Sequence, residues 1–294
     1  MIDDYVIAVR TYARSKIFPK KTYQMLLDNG LTDRLYIFVA SLEEKQLYEE
    51  AVTSYKAMII GEKGGAQAIR AICDYFPPGQ RIVFMDDDLE RFRPGNLDLY
   101  LNDGFRTIDE HACGAFTFSF ISNGFWLRHK PFKEFRPFTL AGNFFCTRND
   151  PDMITTTYSH GDDLVRSVRY LERYGGVLVY WAAGFVTHYG TEPGGMQASG
   201  DRGTPSESLA KTEEISWLSY KACPLLQAYA SEPAQDRTNL FVSMKMKTLP
   251  AVRKAMKKRG VFKDRIVWPT DLCLYESAKK TLDAQVNDAK ISHL

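Results

Sequence analysis

The sequence lacks several features that mark secreted or membrane-bound proteins. Its five cysteines are widely spaced and form no Cys-x-x-Cys pair, so neither a disulfide framework nor a zinc knuckle is predicted. No apolar run approaches the roughly 20 residues that cross a bilayer. The first residues include two acids but no basic region, apolar run or small-residue cleavage site of a signal peptide. We therefore expect a soluble, cytoplasmic protein with no membrane partner.

The chain also has little net charge. Its 38 basic and 36 acidic residues give a formal charge of +2 at pH 7, which favours neither a general nucleic-acid binder nor an acidic solubility protein. Any site for a polyanion must then be a local patch. With 294 residues, 45% of them hydrophobic, the chain is long enough for a catalytic domain and a C-terminal extension.

Apolar runs and helical segments alternate in the first 90 residues. Glycine 30 and the proline pair at 77 and 78 stand where helices would end. Alternation of this kind predicts a mainly parallel sheet that is covered on both faces by helices. The predicted strands are 5–9, 35–40, 57–60 and 81–85, and the predicted helices are 21–29, 42–54 and 66–75.

The pattern changes after residue 88, where the apolar segments become aromatic and irregular. A glycine-rich stretch, 191–205, predicts a mobile loop. From about residue 206 helical composition dominates, so we predict a catalytic domain over 1–205, divided at 90, and a helical, partly basic extension over 206–294. The remaining predicted elements are strands at 115–120, 125–127, 137–146 and 177–181 and a helix at 162–174.

The acidic run Asp86-Asp87-Asp88 is the strongest chemical feature of the sequence, since it directly follows the fourth predicted strand. Ligands of open α/β sheets gather beyond the carboxyl ends of strands. Three adjacent carboxylates repel one another unless a cation or solvent neutralises them, and Mg²⁺ or Mn²⁺ prefers such oxygen ligands. The run therefore favours a divalent metal site, although an exposed acidic turn or a helix cap remains the alternative.

Three segments carry a resemblance to a known family: VRTYARS at 9–15, LYIFVASLEEKQLYEE at 35–50 and GGAQAIRAICDYFPPGQRIVFMDDDLE at 64–90. Together they resemble the TET/JBP-associated glycosyltransferases, which are related to the base J glucosyltransferase and occur in phages. The resemblance spans residues 5–190. It implies a Rossmann-like GT-A fold, with a mixed, mainly parallel sheet flanked by helices. It also implies transfer of a sugar from a UDP-sugar to a hydroxymethylated pyrimidine of DNA, such as 5-hydroxymethylcytosine.

The resemblance also implies which residues meet the donor. One group falls where the first strand would reach the uracil and ribose, with a solvated turn as the alternative for its two arginines. A second group falls at a loop and helix start, where glycines permit close approach and backbone amides suit a diphosphate. Asp86 and Asp88 are expected to face the metal and the ribose, with Asp87 beside them. The two groups are Val9, Arg10, Thr11 and Arg14, and Lys63, Gly64, Gly65, Gln67 and Arg70.

Two further motifs concern catalysis. His188 stands where such enzymes often have a third metal ligand, although a lone histidine is commonly structural. The segment Ser159-His160-Gly161-Asp162-Asp163 resembles the acidic motif that faces the acceptor. We assign Asp163 as the general base and Asp162 as the residue that orients the acceptor; capping of the helix by Asp162 is the structural alternative.

Two segments are candidates for contact with DNA. Residues 125–132 mix aromatic and basic side chains in a way that suits stacking on an extruded base, although core packing explains them equally well. Residues 245–265 contain a basic cluster that could contact phosphates or form the solvated face of a helix.

Three functions remain open at this point. The first is a DNA-modifying glycosyltransferase, and the second is a GT-A enzyme that acts on a glycan or a protein. The third is an inactive module that binds a nucleotide sugar or DNA on the same fold. The intact acidic residues and His188 disfavour the third function, and a DNA acceptor assay separates the first two.

Overall fold

Two structural halves meet in one sheet of the computed structural model. Residues 201–294, with the predicted C-terminal extension and its basic cluster, lie outside the described part of the chain. The same applies to His188 and to 120–131. The structure describes residues 4–93, 95–111, 113–119, 132–136, 140, 142–158, 161–187 and 193–195.

The first half alternates strands and helices as the sequence predicts. Ser41 caps the second helix, because its Oγ accepts a hydrogen bond from Glu44 N at 3.2 Å. Gly30 has a positive φ of 68° just beyond the first helix, where a residue with a side chain would be strained. The elements are β1 Tyr5–Arg10, α1 Thr22–Asp28, β2 Leu35–Val39, α2 Leu42–Ala51, β3 Ala57–Ile60, α3 Gly65–Tyr75 and β4 Arg81–Asp86, with short 3-10 helices at Phe18–Lys20 and Thr32–Arg34.

The second half agrees less well with the sequence-based prediction. A 14-residue helix, capped by Asn96, was not predicted. The predicted strand 137–146 is wrong in its bounds, because residues 142 and 143 form a turn and the strand starts at Phe144. The elements are β5 Arg91–Arg93, α4 Leu97–Glu110, β6 Ala115–Ser119, β7 Lys133–Arg136, β8 Phe144–Arg148, α5 Pro151–Ile154, α6 Asp162–Tyr174 and β9 Val177–Val186.

These strands form one mixed sheet of nine strands in the order β3-β2-β1-β4-β8-β6-β9-β5, with β7 also paired to β9. The pairings within β3-β2-β1-β4 are parallel, as is that of β6 with β9. The other four pairings are antiparallel. The predicted α/β fold with a mixed sheet flanked by helices is therefore confirmed, and its parallel character is concentrated in the first half.

Apolar clusters cover both faces of the sheet. One cluster joins the sheet to α1, α2 and α4 through Met25, Tyr48 and Phe105, among others. The opposite cluster joins it to α3, α5 and α6, and includes Ile72 and Tyr170. Because both faces of the sheet are buried, we expect a ligand to bind at the ends of the strands.

The sequence predicts neither disulfide bonds nor membrane-spanning helices. Cys73, Cys113 and Cys146 are buried and unpaired. No helix in the described ranges has both the length and the apolar character needed to span a bilayer.

Gly104 offers a test of the packing between α4 and the sheet. A methyl group at this position would overlap the buried ring of Phe116. We expect Gly104→Ala to lower the melting temperature, because overpacking costs about 1–3 kcal/mol, which outweighs the helix preference of alanine. Arg106→Ala, on the exposed side of the same helix, is the control and should change stability little. An unchanged or higher melting temperature for Gly104→Ala would contradict this packing.

Candidate active site

Arg10 and Asp86 form an ion pair at the carboxyl edge of the sheet. They end the neighbouring parallel strands β1 and β4 and are paired in register. The Nε and Nη2 atoms of Arg10 lie 3.2 and 3.1 Å from Oδ1 of Asp86. Parallel strands bring their last residues to the same edge, so residues 76 positions apart meet where ligands of α/β sheets bind.

The next two carboxylates belong to a turn rather than to the strand. Nη1 of Arg14 lies 2.5 Å from Oδ1 of Asp87 and 2.9 Å from Oδ2 of Asp88. Asp87 is 4% exposed and Arg14 is 8% exposed, so this contact is buried. Two arginines from the β1 segment thus pair with all three members of the acidic run, and two positive charges leave one of the three negative charges uncompensated.

The turn that carries Arg14 is fixed from several sides. Thr11 Oγ1 donates to Oδ2 of Asp87 at 2.5 Å and lies 2.6 Å from the hydroxyl of Tyr48. That hydroxyl accepts a hydrogen bond from the backbone N–H of Arg14 at 3.0 Å. Ala13 has a φ of 55°, a strained conformation for alanine, and its N–H donates to Glu44 at 2.6 Å. The turn is therefore held against α2 in a conformation that its own residues disfavour.

Burial dominates the electrostatics of the turn. It raises the pKa of Asp87 to about 6, with Asp86 and Asp88 adding to the rise, while Arg14 and Thr11 oppose it. Burial also raises the pKa of Asp88 above its ordinary value, and the charge of Asp86 acts in the same direction. Burial thus makes ionisation of these carboxylates less favourable, and the arginines offset part of this effect.

Part of the predicted mobile loop packs against this turn. Nε of Arg14 donates to the carbonyl of Pro193 at 3.2 Å, and Gly195 N–H donates to the carbonyl of Tyr12 at 2.8 Å. A Cβ on Gly194 would lie 2.5 Å from the carbonyl oxygen of Ala13. Glycine is therefore required at 194, and residues 193–195 flank the acidic run.

The start of α3 supplies a second group of predicted donor residues. Gly64 precedes the helix with a φ of 110°, and the carbonyl of Gly65 accepts a hydrogen bond from Nη1 of Arg10 at 3.2 Å. The ammonium of Lys63 lies 4.9 Å from the ring centre of Tyr12. The side chains of Gln67 and Arg70 are exposed on the first turns of the helix. Backbone amides at a helix start, such as this one, suit an anion.

Asp162 and Asp163 form the first two residues of α6. The structural alternative, in which Asp162 caps the helix, does not apply, because Gly161 is the capping residue and has a positive φ of 64°. Oδ1 of Asp163 instead accepts a hydrogen bond from Leu164 N at 3.0 Å. Oδ2 of Asp162 lies 2.6 Å from Nη2 of Arg166, one turn along the helix.

This pair of carboxylates is connected to the acidic run through Arg10. Nη2 of Arg10 donates to the carbonyl of Gly142 at 3.4 Å. A Cβ on Gly142 would lie 3.5 Å from Oδ2 of Asp163, so this backbone passes close beside the carboxylate. Arg10 also lowers the pKa of Asp162 by its charge. Asp86 at the strand end and Asp162 at the helix start thus act on the same guanidinium.

The two carboxylates of the pair have opposite pKa shifts. Burial raises the pKa of Asp163 to about 6, and the neighbouring charge of Asp162 adds to the rise. Burial acts on Asp162 too, but Arg166 and Arg10 outweigh it and hold the pKa of Asp162 below its usual value. Asp163 is therefore the member of the pair with the greater proton affinity, as a general base near neutral pH requires.

A small cleft opens beside Arg10 and Asp86. Apolar side chains of α3, β4 and β8 line it, among them Ile72 and Phe145. Its cavity volume of about 10 Å³ is far below the roughly 300–1,000 Å³ of typical ligand pockets. The cleft as it stands therefore has room for about one water molecule.

The other predicted site residues are placed less favourably or lie outside the described residues. Val9 is fully buried, so that only its backbone could face a ligand. Phe132 is buried in the core, as the alternative reading of 125–132 expected, while 125–131 lies outside the described ranges. His188, His160 and the basic cluster at 245–265 lie outside them as well, and their predicted roles remain predictions.

Sequence reasoning missed three contributors: Tyr48, Gly142 and Arg166. Tyr48 lies on a helix whose residues Leu42 and Leu47 are exposed, and Arg166 lies off the apolar stripe of its helix, so the helical pattern marks neither as an interior residue. Nothing in the sequence near Gly142 indicates its proximity to Asp163.

The donor atoms present are compatible with a divalent cation. Asp86 and Asp88 are partly exposed and offer carboxylate oxygens, the ligands that Mg²⁺ and Mn²⁺ prefer. Across the described ranges, however, no group of three His, Cys, Asp or Glu side chains is arranged to hold a metal. A cation at this edge would then depend on ligands from phosphate, water or residues outside these ranges, as is usual for Mg²⁺.

Comparison with solved structures finds matches at low sequence identity, two of which contain a bound nucleotide sugar. S. aureus TarS 1-349 in complex with UDP-GlcNAc is 14% identical, with a TM-score of 0.49 over 75% of this chain and 67% of that chain. The mannosyltransferase PcManGT from Pyrobaculum calidifontis, in complex with GDP-Man and Mn²⁺, is 12% identical, with a TM-score of 0.45 over 98% and 86%. In a second structure of TarS 1-349 the chain spans 66% of the solved length.

No protein-family profile matches the chain, and no curated protein matches it in sequence. The fold class therefore rests on the strand order and pairing described above, and the function rests on the side chains at the sheet edge.

Thr11 allows a test of the buried acidic turn. We expect Thr11→Val to lower the free energy of unfolding by about 1.5–3 kcal/mol, since a charged buried acceptor loses a donor. Thr32→Val is the matched control, because Thr32 shares a hydrogen bond with the neutral Ser54 and should cost only about 0.5–1.5 kcal/mol. Urea unfolding at pH 7 measures both values, and equal losses would contradict a charge-assisted role for Thr11.

Proposed function

We propose that the protein is a glycosyltransferase that moves a sugar from a nucleoside-diphosphate donor to a hydroxyl group. The observation that carries the proposal is the position of Arg10, whose guanidinium contacts Asp86 and Gly142 and lies near Asp162. It brings carboxylates at a strand end, suited to a donor and its cation, beside carboxylates at a helix start, suited to an acceptor.

On the donor side, the residues of the sheet edge would bind and orient the nucleotide. The amides at the start of α3 face the same edge as Asp86 and suit a diphosphate. Asp86 and Asp88 would hold a Mn²⁺ or Mg²⁺ ion, with His188 as a proposed further ligand. Such an ion, when bound, stabilises the negative charge of the departing diphosphate.

On the acceptor side, Asp163 would accept the proton. As the acceptor oxygen attacks the anomeric carbon, its O–H bond breaks and the proton moves to a carboxylate oxygen of Asp163. The new bond joins that oxygen to the anomeric carbon, while the bond from this carbon to the diphosphate oxygen breaks and the diphosphate keeps the electron pair. Asp162 would stay ionised and orient the acceptor hydroxyl.

For the substrates we propose a UDP-sugar as the donor and 5-hydroxymethylcytosine in DNA as the acceptor. This finer proposal is supported by the resemblance of segments 9–15, 35–50 and 64–90 to the DNA glycosyltransferases of phages. Val9, Arg10, Thr11 and Arg14 would then lie near the uridine. Segments 125–132 and 245–265 are the proposed DNA contacts.

One assay separates these possibilities. The protein is incubated with Mn²⁺, a panel of UDP- and GDP-sugars and DNA that contains 5-hydroxymethylcytosine, and the nucleosides are analysed by mass spectrometry. A glucosylated or otherwise glycosylated nucleoside supports the DNA acceptor. Donor hydrolysis without DNA modification points to a glycan or protein acceptor, and neither product would indicate an inactive binding module.

The donor site leads to a binding prediction. Calorimetry should detect UDP binding in the presence of Mn²⁺ and loss of that binding with EDTA, because a cation held by Asp86 and Asp88 would offset the negative charge of the diphosphate. Asp88→Ala should abolish binding without unfolding the protein. Asp74→Ala removes an exposed carboxylate of α3 and is the control that should bind normally. Undiminished binding in EDTA would reject the proposed metal site.

The acceptor site leads to a kinetic prediction. Asp163→Asn should keep UDP binding but lower the transfer rate by about 100- to 10,000-fold, the usual effect of losing a general base. Single-turnover rates and melting temperatures are measured together. A destabilised variant with a normal rate would make Asp163 a structural residue of the helix start. The wild-type rate should also fall as the pH drops through the raised pKa of Asp163, since only its ionised form accepts a proton.

A further inference from the structure

Arg166 is a fully buried arginine in the middle of α6. Its Nη2 atom lies 2.6 Å from Oδ2 of Asp162, one helical turn earlier. Within the described ranges, none of its three guanidinium nitrogens has a hydrogen-bond partner, so the contact of Nη2 with Asp162 is an ion pair without hydrogen-bond geometry. The contact with Asp162 is thus the one charge pairing described for this guanidinium.

Aromatic rings fix the other side of this guanidinium. Its central carbon lies 4.7 Å from the ring centre of Phe145. Phe145 in turn stacks on Phe84 with ring centres 4.5 Å apart and an angle of 7° between the planes. Phe84 and Phe145 are paired in register between β4 and β8, so the stack rests on the centre of the sheet. The position of the charge is therefore set by the sheet and does not depend on a flexible side chain alone.

Stability does not account for an arginine at this position. A buried ion pair usually contributes no more than well-packed apolar residues of the same volume, and unsatisfied N–H groups add a further cost. An apolar residue at 166 could pack against Phe145 without either cost. Polar groups whose burial lowers stability concentrate at functional sites, so the effect of Arg166 on Asp162 is the relevant one.

The other groups facing the pair are few in the described chain. Arg10 approaches Asp162 from β1, with Asp86 of β4 behind it. Cys73 of α3 and Tyr170 of α6 lie near Arg166, and burial raises the pKa of each, to about 12 for Cys73, so both stay neutral near pH 7. Two cations therefore act on Asp162. Asp163 has no ion pair of its own among the described residues, although the charge of Arg166 also opposes the rise of its pKa.

We propose that Arg166 is a positioning residue of the acceptor site: its buried guanidinium fixes the carboxylate of Asp162, so that Asp163 is left as the carboxylate that takes the acceptor proton. This inference rests on the proposed function of Asp163 and adds a residue that acts through its neighbour. Arg166 itself does not touch the substrate.

The proposal predicts a distinct effect of removing the charge. Without Arg166, the two adjacent carboxylates share one site with less compensation, so the titration of Asp163 moves to higher pH. Removing the charge of Asp162 has the opposite effect, since Asp163 loses a repelling neighbour. A residue with a purely structural role would lower the melting temperature and leave this titration where it was.

The test follows the aspartate carboxyl carbons by ¹³C NMR in labelled full-length protein, with Asp163→Asn used to assign the signal of Asp163. We expect Arg166→Met to shift the titration midpoint of Asp163 upward by about one pH unit or more, and Arg166→Lys to shift it less. Arg169→Met is the matched control on the same helix, because Arg169 contacts the carbonyl of Thr155 and not the carboxylates. Equal midpoints in Arg166→Met and Arg169→Met would overturn the proposal.

A double variant tests whether Arg166 acts through Asp162. Asp162→Asn combined with Arg166→Met removes both charges of this ion pair together, so it remains informative even if Arg166→Met alone fails to fold. In the Asp162→Asn background, Arg166→Met should shift the midpoint of Asp163 by much less than in the wild type. An equal shift in both backgrounds would show that Arg166 acts on Asp163 directly and would reject the positioning role.

The kinetic arm separates this inference from the proposed function. If transfer activity is found, the acidic limb of its pH–rate profile should move to higher pH in Arg166→Met, by the shift that NMR measures. The same limb should stay in place in Arg169→Met. If no donor or acceptor reacts, the proposed function fails, while the NMR titrations still decide whether Arg166 orders the carboxylate pair.

Discussion

The guanidinium of Arg10 is the contact on which the arrangement of the candidate site depends. Arg10 is the last residue of β1. Its guanidinium pairs with Asp86 at the end of β4 and donates hydrogen bonds to the backbone carbonyls of Gly65 and Gly142. Each of these partners belongs to a different segment of the chain. A single planar cation with several donors can hold such partners together, which a lysine with one ammonium group does less well.

Arginines compensate the charge of adjacent carboxylates both in the acidic run and in the pair Asp162 and Asp163. In each, adjacent carboxylates lie partly or fully out of water, and arginines from within the fold reduce their repulsion. Arg14 serves Asp87 and Asp88, while Arg166 serves Asp162. Each set also contains carboxylates with a raised pKa, Asp87 and Asp88 in the first and Asp163 in the second, because burial outweighs the available cation there. Buried charges of this kind lower stability, and shifted pKa values of this kind are common at active sites.

The mixed sheet explains why these sets meet. Its parallel half sends the ends of β1 to β4 to one edge, where the acidic run lies. The antiparallel strand β8 then pairs with β4 and starts at that same edge, just after the Gly142 turn. Phe145 on this strand supports Arg166, while Phe144 packs into the opposite face of the sheet. One strand thus connects the two acidic sets.

The sequence alone determined the parallel half, because its strands and helices have regular apolar patterns and clear caps such as Ser41. It also identified Asp86 and Asp163 as candidates, since acids after a strand and at a helix start are local signals. It missed α4 and misplaced the strand that starts at Phe144, where aromatic residues occur without a clear period. Only the tertiary structure decided the partners of these acids. The pairings of Arg10 with Asp86 and of Arg14 with Asp87 join residues 76 and 73 positions apart, and no local pattern encodes contacts that strand register creates.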